Sequence, residues 1–211
     1  MKILYAIQGT GNGHLSRAEE IIPHLSQYGE VDILVSGTHH EVILPYIINY
    51  KKPGIGFNFG KKGGINYWGT LKRLSPVKFF KDVFSFPIEK YDVVINDFEP
   101  VTAWACKAKG KPCFGLSHHA AYLSSKSPRP PKRNKSIEMM FRHYAPVTDY
   151  IGFHFNHYDD FIQKPVIRSR VRNLNVSNLH HITIYLPSFS ESVLIKHLTM
   201  VEDMRFEIFS K

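Results

Sequence analysis

Short apolar runs alternate with stretches of helical periodicity along most of the chain. The first run, Lys2–Ile7, is apolar enough for a strand that is buried on both faces. A glycine-rich turn follows it, and the next stretch, from about Leu15 to Tyr28, has the spacing of a helix. The apolar positions of this helix are Ala18, Ile21, Ile22 and Leu25. The chain is therefore predicted to open with a strand, a tight turn and a helix.

The same alternation continues through the next 120 residues. Further strands are predicted at Val31–Val35, Gly54–Asn58, Asp92–Asn96, Pro112–Leu116 and Tyr150–His154. Further helices are predicted at Glu41–Asn49, Pro76–Phe86, Val101–Lys109 and Ile137–Tyr144. Strands that alternate with helices pair in parallel through right-handed crossovers. The predicted fold class is therefore α/β, with a Rossmann-like parallel sheet flanked by helices.

The pattern is interrupted once and then starts again. Residues 1–155 are predicted to form the first domain, and residues 156–180, which lack clear periodicity, to form a linker. Residues 181–211 read as strand, helix and strand, the start of a second α/β unit. A unit of that size is too small to bury a core of its own. We therefore expect a truncated second domain, and a chain that is a fragment of a longer protein.

Composition narrows the class of protein. The 211 residues are 43% hydrophobic and 21% charged, which suits a folded chain, and the net charge of +9 favours acidic partners such as phosphates, anionic lipid or nucleic acid. No apolar run approaches the roughly 20 residues of a membrane span, and no signal peptide is evident. The expected location is the cytoplasm, with Cys106 and Cys113 as small apolar packing residues.

The most specific motif is the loop Gly9-Thr10-Gly11-Asn12-Gly13-His14, between the first strand and its helix. Glycines let the backbone approach a ligand, and a helix N-terminus favours an anion. The predicted acceptor- or phosphate-binding residues here are Gly9, Thr10, Gly11, Asn12, Gly13 and Ser16. The alternative is a tight turn without a ligand. A mononucleotide loop is excluded by the missing Gly-Lys-Ser/Thr, and a dinucleotide loop is disfavoured because strand two ends without an acid.

Polar residues follow two later strands at the edge where ligands bind in such sheets. Asp97 and Glu99 could take protons from hydroxyl groups, could orient His14, or could only interact with the start of the next helix. Ser117, His118 and His119 follow the next strand, and one of the two histidines is expected to face the cleft. Adjacent histidines do not point the same way on a strand or a helix, so no metal is predicted, and no cofactor.

These residues carry a resemblance to a known family. The strand Met1–Ile7 followed by Gly-Thr-Gly-x-Gly-His resembles the N-terminal half of two-Rossmann-domain (GT-B) glycosyltransferases. Within that fold it resembles the bacterial enzyme that adds N-acetylglucosamine to the lipid-linked cell-wall precursor and the plant diacylglycerol galactosyltransferases. More specifically, the strings Gln8–Ala18, Asn96–Pro100, Gly115–His119 and Phe206–Lys211 are similar to a little-characterised prokaryotic branch.

The resemblance implies an acceptor site in the first domain and a nucleotide-sugar donor site in the second, with chemistry between them and no catalytic metal. It implies that His14 serves as general base or polarises the acceptor, whereas the alternative is a helix-start residue that only hydrogen-bonds the loop. Asp97 and Glu99, from their place at the strand end, are the further candidate catalytic residues. Ser188 and Ser190 would border the donor phosphates. The implied reaction is sugar transfer from a nucleotide-sugar donor to a hydroxyl acceptor, for which a lipid-linked molecule is one candidate. The alternative is a non-catalytic half-protein that binds an anion or phosphate and needs a donor-domain partner.

One segment, rich in basic and aromatic residues, is relevant to membrane binding. It comprises Lys61, Lys62, Tyr67, Trp68, Lys72, Arg73, Lys78, Phe79 and Phe80. Enzymes that act on lipid-linked acceptors dock on anionic membranes with such residues. The segment predicts a peripheral site at the inner membrane face, whereas the plain alternative is a solvated loop followed by a core helix. No nucleic-acid motif accompanies it, so no nucleic-acid partner is expected.

Overall fold

The structure is a computed structural model that describes residues 1–37, 42–55, 75–131, 135–186 and 189–209. The described residues fall into two compact units, which divide after Arg172. The first unit carries most of the chain and all of the glycine loop. The second unit begins at Asn173. The predicted boundaries at 155 and 180 stay a prediction.

The first unit alternates strands and helices as predicted. Its strands are β1 (Lys2–Gln8), β2 (Glu30–Ser36), β3 (Tyr50–Lys52), β4 (Val93–Asp97), β5 (Phe114–Ser117), β6 (Asp149–Phe153) and β7 (Ile162–Gln163). Its α-helices are α1 (Asn12–Leu25), α2 (Pro76–Ser85), α3 (Pro100–Ala108), α4 (Lys135–Tyr144) and α5 (Ser169–Arg172). Two short 3-10 helices cover Ile88–Lys90 and His118–Leu123.

The seven strands form one parallel sheet in the order β3-β2-β1-β4-β5-β6-β7. This confirms the predicted α/β class. The order reverses between β1 and β4, so the loops after these two strands diverge and leave a crevice at their carboxyl ends. The register pairs Ile7 with Asp97, which sets the glycine loop beside the end of β4.

The core lies on both faces of the sheet, and β1 shows how the strands divide between them. Leu4 and Ala6 pack on the face covered by α2 and α3, whereas Tyr5 and Ile7 pack on the face covered by α1. All four side chains are fully buried. A strand buried on both faces has no polar alternation, which explains why Lys2–Ile7 reads as a continuous apolar run.

Three predicted elements differ from the structure. Helix α1 begins at Asn12 and ends at Leu25, earlier at both ends than predicted, so Gly13 and His14 belong to its first turn. Residues 42–49 are not helical. Pro45 removes a backbone donor from the middle of that segment, which disfavours a helix there, and Asn49 instead bonds Ile33 through both its side chain and its backbone. The third strand spans Tyr50–Lys52, before the predicted Gly54–Asn58, and residues 53–55 are not part of the sheet.

Strand β7 lies within the segment that lacked periodicity, and its two residues are too few to give a pattern. After β7 the chain returns to α1, where Arg168 bonds Glu19 and the Ser169 amide bonds Glu20. The predicted strand at 54–58 falls partly, and the loop at 60–70 wholly, outside the described residues. Within the described residues, no helix is both long and apolar enough to cross a membrane.

The second unit contains a strand–helix–strand motif, as predicted. Strand β8 (His181–Tyr185) pairs in parallel with β9 (Arg205–Phe209), and α6 (Glu191–Leu198) connects them. Within the described part of this unit, Leu194 is the one buried hydrophobic side chain. The motif by itself therefore encloses almost no core.

Candidate active site

The candidate site lies where β1, β4 and β5 end. His14 comes from the first turn of α1, Asp97 is the last residue of β4, and His118 and His119 open the 3-10 helix after β5. Because neighbouring parallel strands end at the same edge, residues far apart in the sequence meet there. The structure thus brings together His14, Asp97, His118 and His119, four of the residues singled out in the sequence.

Asp97 is completely buried and holds two partners. Its Oδ1 lies 2.8 Å from Nδ1 of His14. Nη2 of Arg17 lies 2.7 Å from each carboxylate oxygen, and Nε of Arg17 lies 3.1 Å from Oδ2. Arg17 follows His14 by one helical turn, so both side chains leave the same face of α1. A forked guanidinium–carboxylate pair of this kind fixes the carboxylate in one orientation.

The charge on Asp97 decides which nitrogen of His14 is free. Burial alone would raise the pKa of Asp97, but the charges and hydrogen bonds of His14 and Arg17 outweigh burial, so the pKa is lowered. Asp97 is therefore an ionised acceptor at neutral pH. It accepts the Nδ1 proton of His14, and the Nε2 lone pair of a neutral His14 remains available for a proton or another ligand.

His118 and His119 lie against His14. The centroid of the His14 ring lies 5.5 Å from that of His118 and 5.4 Å from that of His119. The centroids of the His118 and His119 rings are 3.9 Å apart. The argument that adjacent histidines diverge is wrong here. It holds for strands and regular α-helices, whereas these two residues make the transition from a strand to a 3-10 helix.

The two neighbouring histidines are held in the neutral form. Partial burial, followed by the charges of His14 and Arg17, lowers the pKa of His118 to about 4. Burial, followed by the charges of His118 and His14, lowers the pKa of His119 to about 2. The ring of His119 stacks on Phe98 at 3.9 Å, and Phe98 has a positive φ of 59°. A bulky residue in that conformation is strained and marks a constrained site.

Glu99 has a different place from Asp97. It is the N-cap of α3, and its carboxylate accepts hydrogen bonds from the amides of Val101 and Thr102 and from the Thr102 hydroxyl. The side chain is fully buried, and burial raises its pKa despite these bonds. Of the roles considered for Glu99, the contacts favour helix capping.

The glycine loop is short. Gly11, with φ of 107°, occupies the N-cap position of α1. Glycine has no side chain that could accept a hydrogen bond from the first amides of the helix. The first turn of α1 carries no acidic residue. A Cβ built on Gly11 or Gly13 meets no described atom within 4 Å. The helix start is therefore open to an anion on the side of these two glycines.

The other residues predicted around the loop serve several purposes. The Gly9 amide bonds the Ser36 carbonyl, Thr10 Oγ1 accepts from Gln8, and Asn12 Oδ1 accepts from the Val42 amide. Ser16 is half-buried on α1. Ser117 caps the 3-10 helix by accepting from the Ala120 amide. Of the predicted donor-edge pair, Ser190 is exposed at the N-cap of α6 in the second unit, and Ser188 lies outside the described residues.

Two cavities flank the histidines within the first unit. One, of about 350 Å³, is lined by Phe98, Ser117, His119, Phe141 and Arg142, among others. The other, of about 330 Å³, is lined by Arg17, His118, Tyr122, Phe153 and Phe155, among others. The lining of the first combines polar and aromatic groups, and the lining of the second is mainly apolar but includes Arg17 and His118.

Sequence reasoning missed Arg17 and Phe98 as site residues. A signal for Arg17 was present, because a basic residue three positions after a histidine shares its helical face. No sequence signal marks Phe98, since its role depends on the positive φ and on the rings of His119 and Tyr144 that it stacks against.

The doubly wound sheet defines a Rossmann-type domain, and the polar cluster at its switch point is a candidate ligand site. The chain belongs to glycosyl transferase family 1, whose sequence profile matches residues 1–210, and this family places it among the GT-B glycosyltransferases. Such a family implies a sugar donor and an acceptor.

Among solved structures, MurG of Acinetobacter baumannii is similar to this chain, with a TM-score of 0.48 and 13% sequence identity. The match covers 100% of this chain and 59% of the MurG chain, so this chain spans less than two thirds of that protein. No curated protein matches the sequence.

Proposed function

We propose that the first unit is the acceptor domain of a glycosyltransferase that moves a sugar from a nucleotide-sugar donor to a hydroxyl group. The observation that carries the proposal is the 2.8 Å contact between His14 Nδ1 and Asp97 Oδ1. It directs the basic Nε2 of His14 away from the carboxylate, as a general base requires. His14 would take the proton of the attacking hydroxyl, and Asp97 and Arg17 would act as positioning residues that hold its ring.

The open start of α1 supports a phosphorylated acceptor. A Cβ built on Gly11 or Gly13 would meet no described atom within 4 Å, and an anion in that space would lie at the first turn of α1, which also carries His14. The mainly apolar cavity lined by Tyr122, Phe153 and Phe155 suits an apolar part of the acceptor. Together these features favour an amphipathic acceptor, such as a lipid-linked phosphate.

Helix α2 supports a peripheral membrane position. It exposes Val77, Phe80 and Phe84, and the exposed lysines Lys78 and Lys81 lie among them. Exposed aromatic rings beside lysines bind anionic lipid surfaces. The remaining members of the basic and aromatic segment lie outside the described residues, apart from the half-buried Phe79. Sedimentation with anionic vesicles should retain the wild-type protein and lose most of a Phe80→Ser/Phe84→Ser variant. Equal sedimentation of both would argue against this surface.

The decisive experiment separates turnover from binding. Transfer from a panel of labelled nucleotide sugars to polyprenyl phosphate and diacylglycerol acceptors should be abolished by His14→Ala, while acceptor binding measured by calorimetry changes little. His24→Ala, at the far end of the same helix, is the matched control. Turnover that survives His14→Ala would overturn the role of this residue as base.

The open helix start also favours one alternative, a non-catalytic protein that binds an anion or phosphate and needs a donor-domain partner. That function predicts acceptor binding that His14→Ala leaves unchanged, and any turnover seen after a separate donor domain is added should survive His14→Ala. The same two measurements therefore distinguish the two functions.

A further inference from the structure

The three histidines of the site form a cluster of nitrogen ligands. One ring nitrogen from each of His14, His118 and His119 lies within 4.8 Å of the other two. They come from two rigid elements, since His14 is in the first turn of α1 and the other two open the 3-10 helix after β5. Three imidazoles are a sufficient protein ligand set for a four-coordinate Zn²⁺ that keeps one open position.

The surroundings of His14 and His119 match those of metal-binding imidazoles. A histidine that binds a metal through one nitrogen typically donates its other N–H to a carboxylate, and His14 donates Nδ1–H to Asp97. Nδ1 of His119 is buried and has no hydrogen-bond partner within the described part of the chain. Buried polar atoms are rarely left unpaired, and an unrecorded ion is one of the usual reasons.

We propose that His14, His118 and His119 bind a transition-metal cation of the zinc class. In a tetrahedral site the ligand nitrogens lie roughly 3.4 Å apart, whereas these nitrogens lie within 4.8 Å of one another, so the cluster must contract by up to about 1.4 Å. His118 is the most exposed of the three, so movement of its side chain would disturb the core least. The carboxylate of Asp97 balances the charge of Arg17, so the approaching cation meets a locally neutral site.

The cation would use the lone pair that the proposed general base needs, so binding should oppose catalysis at His14. The binding itself does not depend on the proposed reaction. It can be measured on the full chain whether or not sugar transfer is found.

The test is titration of the metal-free chain with Co²⁺ and then with Zn²⁺. Binding of Co²⁺ is monitored by its visible absorption, and the Zn²⁺ affinity is measured by competition with a chromophoric chelator. The expected result is one Co²⁺ per chain with the intense bands of a four-coordinate nitrogen site, displaced by Zn²⁺. His118→Ala should weaken Zn²⁺ binding more than tenfold, and His119→Ala should do the same. His24→Ala, which removes an exposed histidine at the other end of α1, should leave the affinity unchanged.

Two results would overturn the proposal. One is the absence of stoichiometric binding in the wild-type chain. The other is binding that survives His118→Ala and weakens instead with histidines outside the cluster, such as His154 and His157. His118 is exposed, so its variant keeps the test valid even if the more deeply placed His119→Ala does not fold.

Discussion

Nδ1 of His14 lies 2.8 Å from Oδ1 of Asp97, although the two residues are 83 positions apart in the chain. Asp97 is fully buried, and its lowered pKa keeps it ionised at neutral pH. An ionised carboxylate can only accept, so the proton between the two groups belongs to Nδ1. The proposed base and the proposed metal site both depend on this single hydrogen bond.

The first prediction concerns the tautomer of His14. In the metal-free protein at pH 8, the neutral ring should carry its proton on Nδ1, and ¹⁵N chemical shifts of the two ring nitrogens should show this directly. In Asp97→Asn the preference should be weakened, because an amide can serve as donor or acceptor. A wild-type His14 protonated on Nε2 would contradict the assignment of Nε2 as the base.

The second prediction concerns the Arg17–Asp97 pair. Asp97→Asn leaves the mostly buried guanidinium of Arg17 without its counter-charge and should lower the free energy of unfolding by about 3 kcal/mol. Arg17→Met combined with Asp97→Asn removes both charges and should recover part of that loss. Urea denaturation of the two single variants and the double variant measures the coupling. Strictly additive effects would show that the two side chains do not interact in solution.

The third prediction compares two glycines of the loop. Gly11 has φ of 107°, so Gly11→Ala should cost about 1–2 kcal/mol of stability through backbone strain. Gly13 lies in the first turn of α1 with no described atom within 4 Å of a built Cβ. Gly13→Ala should therefore stabilise folding by about 0.5–1 kcal/mol. Thermal unfolding of both variants checks the opposite signs, and a destabilised Gly13→Ala would contradict the observed helix start.

The fourth prediction concerns pH. Below about pH 6.5 unfolded histidines take up protons, whereas the native pKa is lowered to about 4 for His118 and to about 2 for His119. The unfolded state therefore binds more protons in this window, and the free energy of unfolding should fall as the pH drops from 6.5 toward 4.

The matched variant is His119→Phe, which keeps an aromatic ring against Phe98 and removes the titrating group. Denaturation at several pH values in the presence of a chelator should give a shallower decline for this variant than for the wild-type protein. Identical slopes would mean that His119 is not held neutral by the fold.

The fifth prediction separates Glu99 from Asp97. Glu99→Ala removes the cap of α3 and should destabilise the protein by about 1–2 kcal/mol, because the amides of Val101 and Thr102 lose their acceptor. Glu99→Gln keeps a side-chain acceptor and should cost less. Melting temperatures of the two variants provide the measurement. If the glutamine variant were as unstable as the alanine variant, capping would not explain this residue.

Local patterns predicted some elements well and others poorly. The strand–turn–helix at the N-terminus was predictable because a doubly buried strand, a glycine turn and a helical period are all local signals. The helix predicted over Glu41–Asn49 was wrong within its described residues. The spacing of the apolar residues favoured a helix, and the prediction gave too little weight to the proline at position 45. Strand β7 gave no signal because two residues cannot show alternation.

The sequence by itself determined the α/β class and the position of the glycine loop between the first strand and its helix, and it predicted His14 as a candidate base. These depend on neighbours in the chain. The tertiary structure alone decided that Asp97 meets His14 and Arg17 while Glu99 caps a helix, and that His118 and His119 close on the same point. The reason is physical: parallel strands carry distant residues to one sheet edge, and backbone torsions at the strand ends, such as the positive φ of Phe98, set which side chains turn inward.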